Sequence, residues 1–312
     1  MKNIFYLLVI TLLFNSCDIV VDLDIPEHKP VLVVNSVLSA DSIMTAYISH
    51  SKGAFDSNSI SSLNDATVKV FEDGLLLGEM NKLAIPSSDH SGSVDNVYKY
   101  YLNRMPIVGK YYSYEIEHSD YENLRAETQI PNGVDLTVED VSLSQGEYGG
   151  KYYRLRCSFE DASGENYYRL RVHSSLFNDF DDDIRDNFLD LETTDPSIMS
   201  SAGAASDGES YWGNDALFDD RLFTNSKKEI TLDFLGSYYS EGEGSKENYI
   251  VELSTISKAY FNYLTSFRAQ EYIADEFSFF ASEPIQVYTN IENGLGILGA
   301  MAKDTVLLDI TE

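Results

Sequence analysis

Four arginines alternate with apolar residues along two strand-like runs. Residues 152–159 read Tyr-Tyr-Arg-Leu-Arg-Cys-Ser-Phe and carry Arg154 and Arg156, while residues 167–172 read Tyr-Tyr-Arg-Leu-Arg-Val and carry Arg169 and Arg171. Asp161-Ala162-Ser163-Gly164 between them is turn chemistry, so the runs predict a hairpin with Leu155 opposite Leu170. Alternation puts Tyr153, Leu155, Cys157, Phe159, Tyr168, Leu170 and Val172 on one face, where Cys157 is an inert core thiol. The four guanidinium groups share the other face, and like charges side by side on a sheet call for anions. Residues 178–220 supply a source, with thirteen acids against the single base Arg185. The reading adopted is that these acids fold back onto the arginines. The alternative is that the arginines face an anionic ligand or partner.

Other spacings spell chemistry without completing it. Gly294-Leu295-Gly296-Ile297-Leu298-Gly299 has the dinucleotide-binding pattern. That pattern needs a helix opening at the glycines and an acid about 20 residues on. Only 13 residues follow Gly299, and Asp304-Thr305-Val306-Leu307 reads as strand. The glycines are therefore read as a turn packed tightly against a sheet. Asp179, Asp181 and Asp183, with Asp190 at the twelfth place, begin like a calcium loop, but Ile184 stands where a glycine is needed. This leaves room for weak calcium binding and no more. Ser49-His50-Ser51-Lys52 matches one penicillin-binding motif without its companions. The five histidines are scattered, with no pair at metal-ligand spacing. Carboxylate pairs for glycoside hydrolysis meet only in space, so 51 acids carry no information about them. No catalytic, cofactor or metal residue is assigned, and the chain is read as a non-enzyme.

The clearest chemistry is an address. Lys2 is followed by an apolar run over residues 4–14 and then by Asn15-Ser16-Cys17. As a helix the run spans about 17 Å, against the roughly 30 Å of a bilayer core. Residues 1–16 are therefore read as a lipoprotein signal peptide rather than a span, with Cys17 lipidated and becoming the first residue. Residues 17–29 form an acidic tether, with Asp18, Asp22, Asp24 and Glu27. Acids directly after such a cysteine resemble a surface-export signal, so the outer membrane, facing the cell surface, is the expected location. Lipidation leaves Cys157 without a disulfide partner.

Of 312 residues, 51 are acidic and 22 basic, giving a net charge of −29. Such a surface repels phosphate backbones, which excludes nucleic acid as a partner. The 22 Tyr and 16 Phe favour strands. Short runs at residues 31–35, 46–48, 66–71, 75–77, 97–102, 111–116 and 126–130 predict a sandwich, and Glu72-Asp73-Gly74 predicts a hairpin turn. The fold is read as mainly β. An N-terminal immunoglobulin-like β-sandwich over residues 30–131 is followed, after Pro131-Asn132-Gly133, by a second β-rich domain over residues 134–312 with one or two helices. Residues 178–220 are read as an acidic insertion or cap, with Tyr211 and Trp212 as candidate aromatic contacts. Strands are expected at residues 134–143, 229–234, 249–253, 284–291 and 305–310. A helix is expected over residues 254–271, capped by Ser257.

These features resemble a Bacteroidota lipoprotein family, catalogued as domain of unknown function 4249. The resemblance lies in Cys17 with acids behind it, Pro30-Val31-Leu32-Val33-Val34-Asn35, Asp65-Ala66-Thr67-Val68-Lys69-Val70-Phe71 and Tyr167-Tyr168-Arg169-Leu170-Arg171-Val172. It is most specific over residues 287–300, Val-Tyr-Thr-Asn-Ile-Glu-Asn-Gly-Leu-Gly-Ile-Leu-Gly-Ala, where Leu298 replaces the usual Phe. The resemblance implies an outer-membrane lipoprotein in the company of a TonB-dependent transporter, and no catalytic residues. The expected function is thus an accessory or binding role in nutrient uptake. An adhesin or envelope structural lipoprotein is the alternative, and a surface hydrolase stands behind both. The candidate contacts are Arg154, Arg156, Arg169, Arg171, Tyr211 and Trp212.

Overall fold

The computed structural model describes residues 28–53, 56, 61–88, 94–145, 151–178, 181–201, 210–236, 245–276, 285–308 and 310. Eight strands precede the Pro131-Asn132-Gly133 linker: β1 (Leu32–Ser39), β2 (Met44–His50), β3 (Thr67–Glu72), β4 (Leu75–Glu79), β5 (Asn81–Ser88), β6 (Val94–Leu102), β7 (Tyr111–Glu117) and β8 (Leu124–Gln129). After it come β9 (Thr137–Gln145), β10 (Lys151–Glu160), β11 (Tyr167–Asn178), β12 (Asp181–Phe188), β13 (Leu191–Thr193), α1 (Pro196–Ser201), β14 (Tyr211–Gly213) and β15 (Ala216–Asp219). A 3-10 turn (Asp220–Leu222), β16 (Lys227–Leu235), β17 (Ser245–Ile256), α2 (Lys258–Glu276), β18 (Ile291–Glu292) and β19 (Leu295–Leu308) complete the chain. The expected mainly β fold forms, and the described residues hold two helices where one or two were expected.

One large sheet runs β12-β11-β17-β19-β1-β2-β6-β5, with β15 also paired to β11. Two five-stranded sheets, β18-β8-β7-β3-β4 and β14-β13-β16-β10-β9, close it into two sandwiches. In the first, Leu32, Val34, Ala46, Ile48 and Tyr100 of the large sheet meet Val68, Val70, Tyr112, Tyr114 and Ile116. In the second, Tyr168, Leu170, Val172, Val251 and Leu253 meet Leu155, Cys157, Phe159, Ile230, Leu232 and Phe234. Truncating one of these buried leucines to Ala would cost about 2–5 kcal/mol.

β19 builds both cores. Its Leu298 and Ala300 belong to the first, and its Leu308, with Val306 against it, to the second. Period-two alternation puts these even-numbered residues on one face, so both sandwiches hang end to end from the same side of the large sheet. Its 14 residues span about 46 Å. Between the two cores the linker passes over β19, where Asp304 Oδ2 accepts the Leu136 N–H at 2.8 Å. α2 lies on the opposite face, where Tyr260 and Phe261 pack with Tyr167, Leu217, Ile256 and Ile297. As expected, Ser257 caps it, its Oγ accepting from Tyr260 N at 3.3 Å. The strand before the helix runs further than expected, so residues 254–256 belong to β17.

Three expectations are corrected. First, β10 and β11 do not form a hairpin. β10 is flanked by β9 and β16, whereas β11 lies between β12 and β17 in the opposing sheet. Residues 161–166 cross from one sheet to the other, pinned where Asp161 accepts from the Tyr168 hydroxyl at 2.5 Å and from Asn225 N at 2.7 Å. The inward set named from the sequence does share a core, but face to face rather than side by side. Second, the described residues of the 178–220 stretch are built into the two sheets of the second sandwich rather than set over them as a cap. β12 and β15 join the large sheet, and β13 and β14 join the opposing one. Third, the strand expected up to Ile291 is only Ile291–Glu292, with no regular structure over residues 285–290. The Asn290 side chain explains the break, because it accepts from Leu298 N at 3.0 Å and donates to Leu298 O at 3.0 Å. It thereby occupies the backbone groups that a paired strand would use.

The glycine motif opens β19 rather than a helix, with Gly294 directly before the strand and Gly296 and Gly299 within it. β19 pairs in parallel with β1, Gly296 opposite Val34. Gly296 has φ +97°, and a Cβ there would sit 2.0 Å from the Val34 carbonyl oxygen. At Gly299 a Cβ would meet the Tyr260 ring at 2.9 Å, so that glycine lets α2 settle onto the sheet.

Candidate binding surfaces

Dividing the arginines between two sheets removes the four-charge ladder. Arg154 stands opposite Asp233 in register and binds it through two parallel bonds, Nε–Oδ1 at 2.8 Å and Nη2–Oδ2 at 2.7 Å. Arg156 stands opposite Asp140, 3.8 Å away. Arg171 stands opposite Glu252 and donates to it at 2.6 Å, with the Phe188 ring 4.1 Å from its guanidinium carbon. Three of the four anions are thus cross-strand neighbours. Only Arg169 takes its acid from the 178–220 stretch, pairing with Asp215 while donating to the Tyr260 hydroxyl at 3.1 Å. Arg169 and Arg171 are largely buried in a charged layer beside α2, which Arg268, Lys303 and Asp41 extend. Arg154 and Arg156 lie exposed on the outer face of the opposing sheet.

The two aromatic candidates separate as well. Tyr211 is buried in the second core and cannot anchor a partner. Trp212, next to it on edge strand β14, is 44% exposed. Cys157 is buried among apolar side chains, and burial pushes its thiol pKa up to about 12. The signal peptide, Cys17 and Asp179 lie outside the described residues. So do the side chains of Asp181 and Asp183, although the backbone there is the β12 strand. Among the described residues, no three His, Cys, Asp or Glu converge to hold a metal.

Two surfaces escaped the sequence reading. Leu75 and Leu76 on β4, and Met105 and Ile107 in the loop before β7, are each more than half exposed. They lie toward the same end of the first sandwich, where the β3–β4 turn docks at the start of β7: Asp73 N donates to Tyr111 O at 2.9 Å, and Lys110 pairs with Asp73. This end of the first sandwich is opposite the one where the chain enters. At the entry end, residues 29–32 lie against residues 119–122 and Asn293.

The second surface is a cleft of about 360 Å³ at the waist between the sandwiches. Tyr111, Glu127, Thr128, Gln129 and Pro131 form its wall on the first sandwich. Glu165, Asn166 and Tyr167 from the start of β11, and residues 255–259 from the end of β17 and the start of α2, form the other. Lys258 Nζ binds both oxygens of Glu165, at 3.0 and 3.2 Å, and sits 5.7 Å over the Tyr167 ring. The Tyr167 hydroxyl and Lys258 together hold the Glu165 carboxyl below its ordinary range. Thr128 and Thr255 are buried in the cleft walls, and neither hydroxyl has a partner. No short motif announces this site, because its residues come from four separated parts of the chain.

The family catalogued as domain of unknown function 4249 matches residues 19–306. The chain belongs to that family. The match takes in both sandwiches, the linker, α2 and nearly all of β19. The Asn290–Leu298 clasp and the glycines against β1 therefore fall within the family's own span, as the resemblance over residues 287–300 led us to expect. No curated protein matches the chain.

Proposed function

We propose that this member of the family is a lipid-anchored outer-membrane protein, facing the cell surface, that assists a TonB-dependent transporter in capturing a nutrient. The observation that carries the reading is polarity. The chain enters β1 at one end of the first sandwich, while exposed Leu75, Leu76, Met105 and Ile107 lie toward the other. A tether over residues 17–29 reaches at most about 45 Å from a lipidated Cys17, enough to hold the sandwich clear of the headgroups. Exposed apolar side chains grouped in this way suit a protein partner. Trp212 on the second sandwich offers a further aromatic contact. The Bacteroidota resemblance supplies the transporter as that partner.

The test is affinity purification of the tagged full chain from outer membrane. Stoichiometric recovery of a transporter, reduced when Met105 and Ile107 are changed to Ser, supports the reading. Recovery of no transporter overturns it. In that case, retained binding of cells to a matrix would point to an adhesin, and turnover of a glycan or peptide panel to a surface hydrolase. Cys17→Ala should release the protein from the membrane fraction, and protease treatment of intact cells should degrade the wild type.

A further inference from the structure

We propose that the waist cleft binds a neutral, polyhydroxylated ligand, a short oligosaccharide, held between the two sandwiches. The inference rests on the nutrient-capture reading for its biological sense and on the cleft alone for its chemistry.

The walls suit hydroxyl arrays. The Tyr111 ring is about half exposed and offers a flat apolar face whose negative quadrupole attracts the C–H side of a sugar ring. Around it stand Glu127, Gln129 and Asn166. The Glu127 carboxylate and the amide oxygens of Gln129 and Asn166 offer acceptors to vicinal hydroxyls, with the Gln129 amide set by its Nε2 donating to Gly109 O at 3.0 Å. Asn166 is held in place, its Nδ2 donating to Ala162 O at 2.7 Å and its N–H to Asp220 Oδ2 at 3.0 Å. The volume of about 360 Å³ lies at the lower end of the roughly 300–1,000 Å³ of ligand sites, which suits one or two sugar rings.

An anion is the competing ligand, because the amino end of α2 opens here. The charges decide against it. The one lysine of the cleft, Lys258, is already bound by Glu165. Glu127 adds a further negative charge, and Ser257 Oγ already caps the helix. The chain as a whole carries −29, so a neutral ligand approaches without repulsion.

The experiment is calorimetric titration of the purified full chain, in a detergent without a sugar headgroup. The probes are maltotriose, cellotriose, mannotriose and xylotriose, with trigalacturonate as the anionic counterpart. Saturable binding of at least one neutral trisaccharide is expected. Tyr111→Ala and Glu127→Gln, both at exposed positions, should each weaken it by about tenfold or more. Leu143→Ala, on an outer strand away from the cleft, should leave it unchanged. Melting curves of the two cleft variants should match the wild type. No saturable binding of any neutral probe, stronger binding of trigalacturonate, or binding that survives both cleft changes would overturn the inference. Transporter recovery is read separately, so sugar binding without a transporter would sink the uptake reading and leave the site standing.

Discussion

Arg171 and Glu252 face each other in register across β11 and β17, and the guanidinium donates to the carboxylate at 2.6 Å. Their side chains are 14% and 7% exposed, whereas Arg154 and Asp233, the matching pair on the outer sheet, are 53% and 23% exposed. Coulomb attraction is screened in the second pair and not in the first, but only the first leaves a buried charge behind when broken. Arg171→Met should therefore destabilise the chain by about 3–5 kcal/mol. Arg154→Ala should cost no more than about 1 kcal/mol. Urea denaturation of the two variants measures both, and equal losses would contradict the assignment of a buried and an exposed pair.

Glu252 also gives a pH dependence. Burial pushes its carboxyl pKa up, but Arg171 and Lys303 outweigh burial, and the folded value lies below the ordinary 4.5. The unfolded chain therefore binds this proton more readily than the folded one. The stabilisation is present above pH 4.5 and is lost as pH falls through the folded value. Denaturation midpoints taken between about pH 3 and pH 6 should fall less steeply on the acid side for Glu252→Gln than for the wild type. Parallel profiles would rule this carboxylate out as a contributor.

At Gly296 a methyl group has nowhere to go, since it would meet the Val34 carbonyl oxygen at 2.0 Å with φ at +97°. Gly296→Ala should cost more than about 4 kcal/mol or prevent folding. At Gly74, in the β3–β4 turn, φ is +80° but no atom lies within 4 Å. Gly74→Ala should then cost only the backbone strain, about 1–2 kcal/mol. Thermal melts of the pair separate close approach from conformation alone.

Trp212 is the only tryptophan, so the protein's tryptophan fluorescence reports one side chain. At 44% exposure it should be quenched readily by acrylamide in the native state. Partner binding over the second sandwich should protect it. Native quenching as slow as that of a buried indole would show that β14 is covered.

Cys157 should ignore thiol reagents in the folded chain, because it is 2% exposed and its thiol pKa is pushed up to about 12. Denaturant should expose it to stoichiometric labelling. Fast labelling without denaturant would mean that the second core opens readily.

Much of the fold could be read from alternation and turns. The Asp73-Gly74 turn, with φ of +47° and +80°, forms the predicted hairpin. The inward set from Tyr153 to Val172 is a real core, and Ser257 caps the predicted helix. What alternation cannot specify is which strand lies beside which. Leu155 and Leu170 would both point inward in a hairpin or across a sandwich, so the turn signal at residues 161–164 pointed to the simpler pairing. The arginines were misplaced for that reason alone, and the true partners of three of them, directly across on β9, β16 and β17, depend on register. The cleft was illegible because Tyr111, Gln129, Asn166 and Lys258 meet only when both sandwiches hang from β19. Residues 285–290 read as strand because nothing local shows that Asn290 will turn back to clasp Leu298.

The pairing of β1 with β19 joins the first of the described strands to the last. Until β19 leaves the ribosome, the large sheet has a gap between β1 and β17, and each half lacks part of its core. Loop-closure entropy over nearly the whole chain must be met before that gap is filled, which favours slow folding. The chain is therefore expected to fold late, in one concerted event, and to expose unpaired strand edges until then. Cutting the gene at the linker would yield a fragment with an open sheet edge rather than a small stable domain, and loss of β19 would strip side chains from both cores at once.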